Sequence, residues 1–418
     1  MSSVDEVSAQ FEELKVEGAH ELSFLDFLTE EDYPAEAVAL KARAVDDADT
    51  DALVSLGDHL VRLIAVRNAD EDDKTHAQRI LFLQSKARQC FQIASDREHA
   101  DGQFKLGVMV HRDSTKAKDK SDSSANNKAA ALLYRRAAEQ GHAQAQYNLG
   151  LMYYTGDGVP ERHEKARTLF QAAAEQNLPE GQCRFGIMLA KGEGGDANLP
   201  RALELFRAAA DQGDANAQFN LGMALGSGLA TNGKSDPEAA AEWLRQAADA
   251  GHTKAQCYLA GMHLHGNGVP KDTAAAQELF RKAANKGDAE SQFQLAILYE
   301  QQKKPSDAAL WFEKAAMQGD PTAMLNLAMK LLHGKGIKKD ESRAVQWLQH
   351  AVEQGQIDAM RVLAMCYGKG MGVEQDVPKA VALMNKFKEL HEKRLAFIRQ
   401  RQEAARRAAS DSQPSTSS

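Results

Sequence analysis

Thirteen histidines and four cysteines are the side chains of this 418-residue chain best suited to nucleophilic or metal chemistry. Neither set is arranged for it. His263 and His265 are two apart, which on a helix puts them on opposite sides rather than in a ligand pair. The other histidines are scattered from His20 to His391. Cys90, Cys183, Cys257 and Cys366 form no CxxC pair and no Cys/His cluster. No serine sits in a nucleophile elbow. The Gly-x-Gly triplets lie between two expected helices, so the phosphate fingerprint, which follows a strand, does not apply. We therefore expect no catalytic residue, no metal ligand and no cofactor. A polar column offers a different chemistry: Lys105, Asn148, Arg184, Asn220, Tyr258, Gln294 and Asn326, ending at Val362. Each precedes a large apolar residue or its equivalent. Donors and acceptors repeated at a fixed interval can hydrogen-bond an extended peptide or a carboxylate. The competing reading is that they bond neighbouring helix ends and loops.

The elements that position this column are legible between Ala143 and Leu178. Ala145, Leu149 and Tyr153 are four apart, one face of a helix. Gly156-Asp157-Gly158-Val159-Pro160 follows as a tight loop. Ala166, Leu169, Phe170, Ala173 and Ala174 mark one side of a second helix, and Asn177 stands where a left-handed cap belongs. The Leu149-Gly150 pair has counterparts at Leu106, Phe185, Leu221, Leu259, Leu295, Leu327 and Leu363, at steps of 36, 36, 38, 36, 32 and 36 residues from Leu149 onward. An Ala-Ala pair and a cap glycine recur in step, as at Ala209-Ala210 and Gly213. Two helices per fixed period specify an all-α fold, an α-solenoid.

The pattern A-x-A-Q-x-x-L-G-x-x-Y, then G-x-G-V, then K-A-x-x-L/W with A-A and G, resembles the Sel1-like repeat family, a relative of the tetratricopeptide repeats. The resemblance covers roughly residues 100–390. It implies a right-handed superhelix whose first helices line a concave groove, and a non-catalytic scaffold or adaptor that binds segments or domains of other proteins there. The polar column would face that groove. An alternative the family also implies is a regulatory subunit or activator of a partner enzyme. The hydrolase activity claimed for some bacterial relatives is disfavoured, because their paired cysteines are missing here.

Net charge is −8, which argues against bulk binding of nucleic acid. No apolar run is long enough for a transmembrane span, and the acidic start has no apolar signal core. Cys183 and Cys257 occupy one column two repeats apart, on the order of 20 Å, beyond disulfide reach. Four lone thiols fit a reducing compartment, so a cytoplasmic location is expected.

The domain plan is as follows. Residues 1–51 hold 15 Asp and Glu against 3 Lys and Arg, and include the apolar run Leu22 to Leu28. We expect a helical cap there, with an acidic docking segment as the alternative. Residues 52–98 read as a degenerate repeat and 99–393 as the solenoid of about eight units. The charged, Ser-rich stretch 112–128 reads as a mobile insertion. In the unit from 289 the loop has lost both glycines, and Pro305 should start its second helix. The last helix should continue from Pro378 to about Ala409 and cover the open end of the stack. Its basic extension and a disordered tail make up 394–418. Trp243, Trp311 and Trp347 share a column with leucines and read as core. Met109, Met152, Met188 and Met262 form another column, read as core rather than as an adaptable binding surface.

Overall fold

The computed structural model describes residues 33–46, 49–65, 73–116, 119–231 and 233–411, the side chains of 45–46 and 404–411 excepted. The acidic segment 1–32 and the tail 412–418, with the docking and disorder expectations that fall on them, lie outside the described residues. Among the described residues the regular structure is helical. Helices α1 (Ala35–Asp46), α2 (Thr50–Ile64) and α3 (Asp73–Asp96) open the chain. Eight pairs follow, each with a first helix, A, and a second, B. They are α4 (Ala100–Lys116) with α5 (Lys120–Glu139), α6 (Ala143–Thr155) with α7 (His163–Glu175), and α8 (Pro179–Lys191) with α9 (Leu199–Asp211). Next come α10 (Ala215–Gly226) with α11 (Pro237–Asp249) and α12 (Thr253–His265) with α13 (Thr273–Asn285). The last are α14 (Ala289–Gln301) with α15 (Pro305–Met317), α16 (Pro321–His333) with α17 (Glu341–Glu353), and α18 (Ile357–Lys369) with α19 (Val377–Asp411). The chain divides into two compact units, Met1–Leu221 and Gly222–Ser418. Within each, helices pack on their sequence neighbours, the arrangement of an α-solenoid.

Local chemistry sets the helix ends. Asp236, Asp272, Asp320 and Asp340 accept backbone N–H groups at the starts of α11, α13, α16 and α17. Asn177 adopts φ 60°, the left-handed cap expected of it. Pro305 opens α15 as expected. Inside a repeat, the glycine after the core leucine lets A and B approach. A Cβ on Gly150 would lie 2.8 Å from the Phe170 ring, and one on Gly186 the same distance from Phe206. Gly57 of α2 meets Phe91 of α3 in the same way.

Two contacts join one repeat to the next. The first is the buried glutamine of A-x-A-Q. In the unit Met1–Leu221, Gln146 donates to Ala138 O at 3.3 Å and accepts from Gln176 at 2.8 Å. It thus holds the last turn of the preceding B helix and the cap of its own. Gln103 accepts from Gln140 and Gln182 from Gln212 in the same manner. In the unit Gly222–Ser418, Gln292 donates to Ala284 O at 3.1 Å and accepts from Gln318 at 2.7 Å. The second contact is the second glycine of the loop. Gly268 has φ 68°, and a Cβ there would stand 2.2 Å from Pro237 O, the first residue of the preceding B helix.

Two expectations need correction. The stretch 112–128, expected as a mobile loop, is helical over 112–116 and 120–128. Asp119 caps α5 by accepting Ser121 N at 3.0 Å, and Asp113 is salt-bridged to Arg88. The insertion lengthens α4 and α5 rather than separating them. The apolar stripe of α19 does not cover the end of the stack throughout. Ala380 is buried, but from Glu392 onward the described residues are exposed, Phe397 at 59 %. The cause is length: a 35-residue helix rises about 52 Å and its 13-residue partner α18 about 20 Å. The loop after α14, which lacks both glycines as its sequence shows, closes by placing Lys303 at φ 58°. The buried Lys330 of α16 reaches back to Glu300 in an ion pair. Met109, Met152 and Met188 are buried, as the core reading expects, whereas Met262 is half-buried.

Gly268→Ala should destabilise the chain more than Gly287→Ala, whose Cβ would meet nothing within 4 Å although φ is 92°. The second should cost about 1–2 kcal/mol, the left-handed penalty alone. The first should cost a further 1–3 kcal/mol, roughly, from overpacking, read as urea midpoints of the two variants. Gln292→Ala leaves the buried Ala284 carbonyl without this partner and should cost about 1–3 kcal/mol. Gln294→Ala, on the half-buried side of the same helix, should change stability by no more than about 0.5 kcal/mol.

Candidate protein-binding face

The outward side of the A helices carries the polar column. In the unit Met1–Leu221, three of its members reach to another helix. Lys105 is ion-paired with Asp58 of α2 and, at 3.2 Å, with Asp101 of its own helix. Asn148 hydrogen-bonds the Tyr134 hydroxyl, which burial pushes up to about 12. Arg184 bonds the Tyr147 hydroxyl, whose pKa is likewise raised by burial. Arg184 remains exposed. Asn220 folds back on its own helix, donating to Asn216 O at 2.8 Å, with Cys183 Sγ at 3.9 Å.

In the unit Gly222–Ser418, Gln294 donates to Glu290 one turn earlier at 2.7 Å, and Asn326 to Thr322 O at 2.9 Å. Tyr258 is 47 % exposed. One turn before it, Lys254 Nζ meets Asp288 Oδ1 at 2.5 Å. Asp288 is buried, and it also accepts Ser291 N at 2.9 Å and Ser291 Oγ at 2.7 Å. Burial pushes the Asp288 pKa up, but the Lys254 and Ser291 bonds outweigh it and hold the carboxyl below its usual value. The polar column therefore supplies donors and acceptors already fixed by protein partners, Arg184 and Tyr258 being its exposed members.

A second column on the same side escaped the sequence reading. Three residues after each polar position stand Val108, Leu151 and Ile187 in the first unit, and Met223, Ile297, Met329 and Met365 in the second. Val108 is 40 % exposed and the others are half-buried. Residues three apart on a helix are neighbours on one face, so each of these helices but α18, where Val362 stands in the polar position, shows an apolar side chain beside a hydrogen-bonding one. The signal was present as the residue after Leu-Gly or Leu-Ala, large and apolar in all but Gly261.

Thiol chemistry has no footing. Burial raises Cys90 to about 12, Cys257 and Cys366 to about 11, and Cys183 further, so each is a protonated thiol at neutral pH. All four are buried and unbridged. Among the described residues no group of three His, Cys, Asp or Glu could hold a metal ion, and no helix is long and apolar enough to cross a membrane.

The Sel1 repeat family model matches residues 100–142, 143–178, 179–214, 215–252, 253–288, 289–320, 321–356 and 357–390 without a gap. The chain belongs to the Sel1 repeat family. Its repeats begin with the A helices defined above. Among solved structures, this Sel1 repeat chain is similar to a protective antigen of uropathogenic Escherichia coli strains displaying an SLR fold. That match has 27% identity, covers 84% of this chain and 86% of the other, and has a TM-score of 0.57. A Sel1 repeat protein from Oxalobacter formigenes matches at 28% identity over 78% of this chain and 92% of the other, with a TM-score of 0.51. No curated protein matches the sequence. Sel1 repeats generally mediate protein–protein interaction, and their solenoid is typically non-catalytic.

The depressed Asp288 pKa has a consequence for acid stability. A carboxyl held below its unfolded value of about 3.9 contributes stability that is complete above that value. The contribution is lost as pH falls through the folded value. The urea midpoint of the wild-type chain should therefore drop more steeply below about pH 4 than that of Asp288→Asn, the two curves converging in acid.

Proposed function

We propose that this chain is a non-catalytic adaptor whose A-helix face binds segments of partner proteins. The observation that supports it is the pairing, helix after helix, of a half-exposed apolar residue with a positioned hydrogen-bonding one. Such a surface suits an extended or helical segment. In the unit Met1–Leu221, apolar side chains of a segment would enter beside Leu151 or Ile187 while Arg184 met its polar groups; in the unit Gly222–Ser418, Ile297 and Tyr258 would play those parts. Because the donors are already oriented by the fold, little side-chain entropy is lost on binding. Affinity would accumulate over several repeats, each adding a small increment. The four unbridged, buried thiols fit a reducing compartment, and we place this function in the cytoplasm.

Affinity capture with mass spectrometry, run side by side on the wild type, the Arg184→Ala/Asn220→Ala double variant and Ile187→Asp, tests the proposal. Both variants should lose the same short set of captured proteins. Thermal midpoints should hold for the double variant, since surface substitutions usually stay within about 0.5 kcal/mol. A captured set unchanged in both variants would remove the A-helix face from consideration.

A further inference from the structure

In the unit Met1–Leu221 a cavity of about 330 Å³ opens between the B helices α5 and α7, over the A helix α6. Leu149 and Tyr153 of α6 are buried beneath it. Arg135 and Glu139 of α5 line one side, Lys165 and Leu169 of α7 the other. Arg135 Nη2 donates to the Tyr153 hydroxyl at 3.2 Å. A phenol oxygen that accepts from a guanidinium still has its own O–H to donate. Lys165 Nζ stands 5.4 Å from the Tyr153 ring centroid. Guanidinium, ammonium and phenol hydroxyl thus surround one apolar-floored space. Glu139 is the acid on its lining, and it is exposed, so the two cations leave a positive excess.

The same constellation recurs in the unit Gly222–Ser418. Gln349 Nε2 donates to the Tyr367 hydroxyl at 3.1 Å across 18 residues, the separation of Arg135 from Tyr153. Lys379 follows Tyr367 at the interval by which Lys165 follows Tyr153, and lies 4.3 Å from the ring centroid. There the guanidinium is replaced by a neutral amide, and Lys379 hydrogen-bonds the hydroxyl itself. The second triad is a closed tie between helices. The first has one more cation, and its lysine stands farther from the ring, 5.4 Å against 4.3 Å.

We propose that the Arg135–Tyr153–Lys165 cavity binds the carboxylate of an acidic side chain carried by a partner peptide. The alkyl stem of that side chain lies on Leu149 and Leu169. The Tyr153 O–H and the Arg135 and Lys165 N–H groups donate to its oxygens, as charge-assisted hydrogen bonds. The B helices supply the cations, so this site stands or falls separately from the A-helix face.

The test uses the full chain labelled with 3-fluorotyrosine, which gives eight fluorine signals for its eight tyrosines. Tyr153→Phe and Tyr367→Phe identify two of them. The probes are N-acetylglutamate N-methylamide, its glutamine analogue and inorganic phosphate, at equal ionic strength. The glutamate probe should shift the Tyr153 signal saturably, and the glutamine probe should not. Arg135→Gln and Lys165→Gln should each weaken the response by about tenfold, the worth of one charge-assisted bond. Lys165 is exposed, so that variant keeps the fold. The Tyr367 signal should need at least roughly tenfold more probe. The Arg184→Ala/Asn220→Ala variant should respond like wild type, so failure of the adaptor reading and failure of this one are separable. No shift, an equal shift with the glutamine probe, or a shift with phosphate alone would each overturn the carboxylate site.

Discussion

The interaction on which the rest depends is the side-chain amide of the A-helix glutamine. A helix ends with backbone carbonyls that have no partner inside it. In a stack of short helices those ends are buried at every turn of the array, and an unpaired buried carbonyl is costly. Gln146 and Gln292 meet this need with one group each, donating to a carbonyl of the preceding B helix and accepting from the cap of their own. The amide has both functions, which no apolar side chain can supply. Where the cap residue changes the bond changes. Lys286 stands in place of the capping glutamine and turns to Gly251 O at 2.7 Å, leaving Gln256 Oε1 buried without a partner. Where the glutamine itself changes, to Met324 and Met360, the contact becomes packing.

The period, the helix pairs and the caps were legible because each rests on a local rule. Glycine or asparagine takes positive φ, proline opens a helix, and spacing by three and four makes a face. What could not be read was direction. Lys105, Asn148 and Arg184 look in sequence like a free row of donors, yet each already has a tyrosine or carboxylate from a neighbouring helix. Those partners lie 14 to 47 residues away, beyond any local pattern. The companion column of Val108, Leu151 and Ile187 failed for the converse reason. Large apolar residues next to a core leucine count as core in any window, and only the packing reveals them half-exposed.

The two misread segments share a cause. Residues 112–128 have the composition of a disordered linker, but composition ignores what adjoins it. Two helices entering the stretch from both sides need only continue, and continuing costs less than nucleating. Asp119 then supplies the cap. The end of α19 shows the opposite limit. Leu395 and Ile398 carry on the helical spacing of the residues that pack before them, so periodicity alone sees one continuous face. Periodicity records a face; it does not record whether a neighbour extends far enough to cover it.

The same separation bears on where specificity can reside. The positions that recur from unit to unit include the core leucine, the Ala-Ala pair and the clamping glutamine, which are largely buried, and the loop glycines, several of which stand hard against a neighbouring backbone. Their recurrence follows from the repeated geometry of stacking and needs no partner to explain it. The positions that vary are at the surface: Arg184 against Tyr258 in the polar column, Ile187 against Met329 beside it, Arg135 against Gln349 over a tyrosine. An array of this kind is therefore a constant skeleton carrying a variable surface. Two repeats with the same backbone contacts can differ in charge at a single tyrosine, as the triads around Tyr153 and Tyr367 do. In the proposed adaptor role, discrimination between partners would come from which repeat a segment lies against, because the backbone geometry offers the same invitation at each step and only the side chains differ.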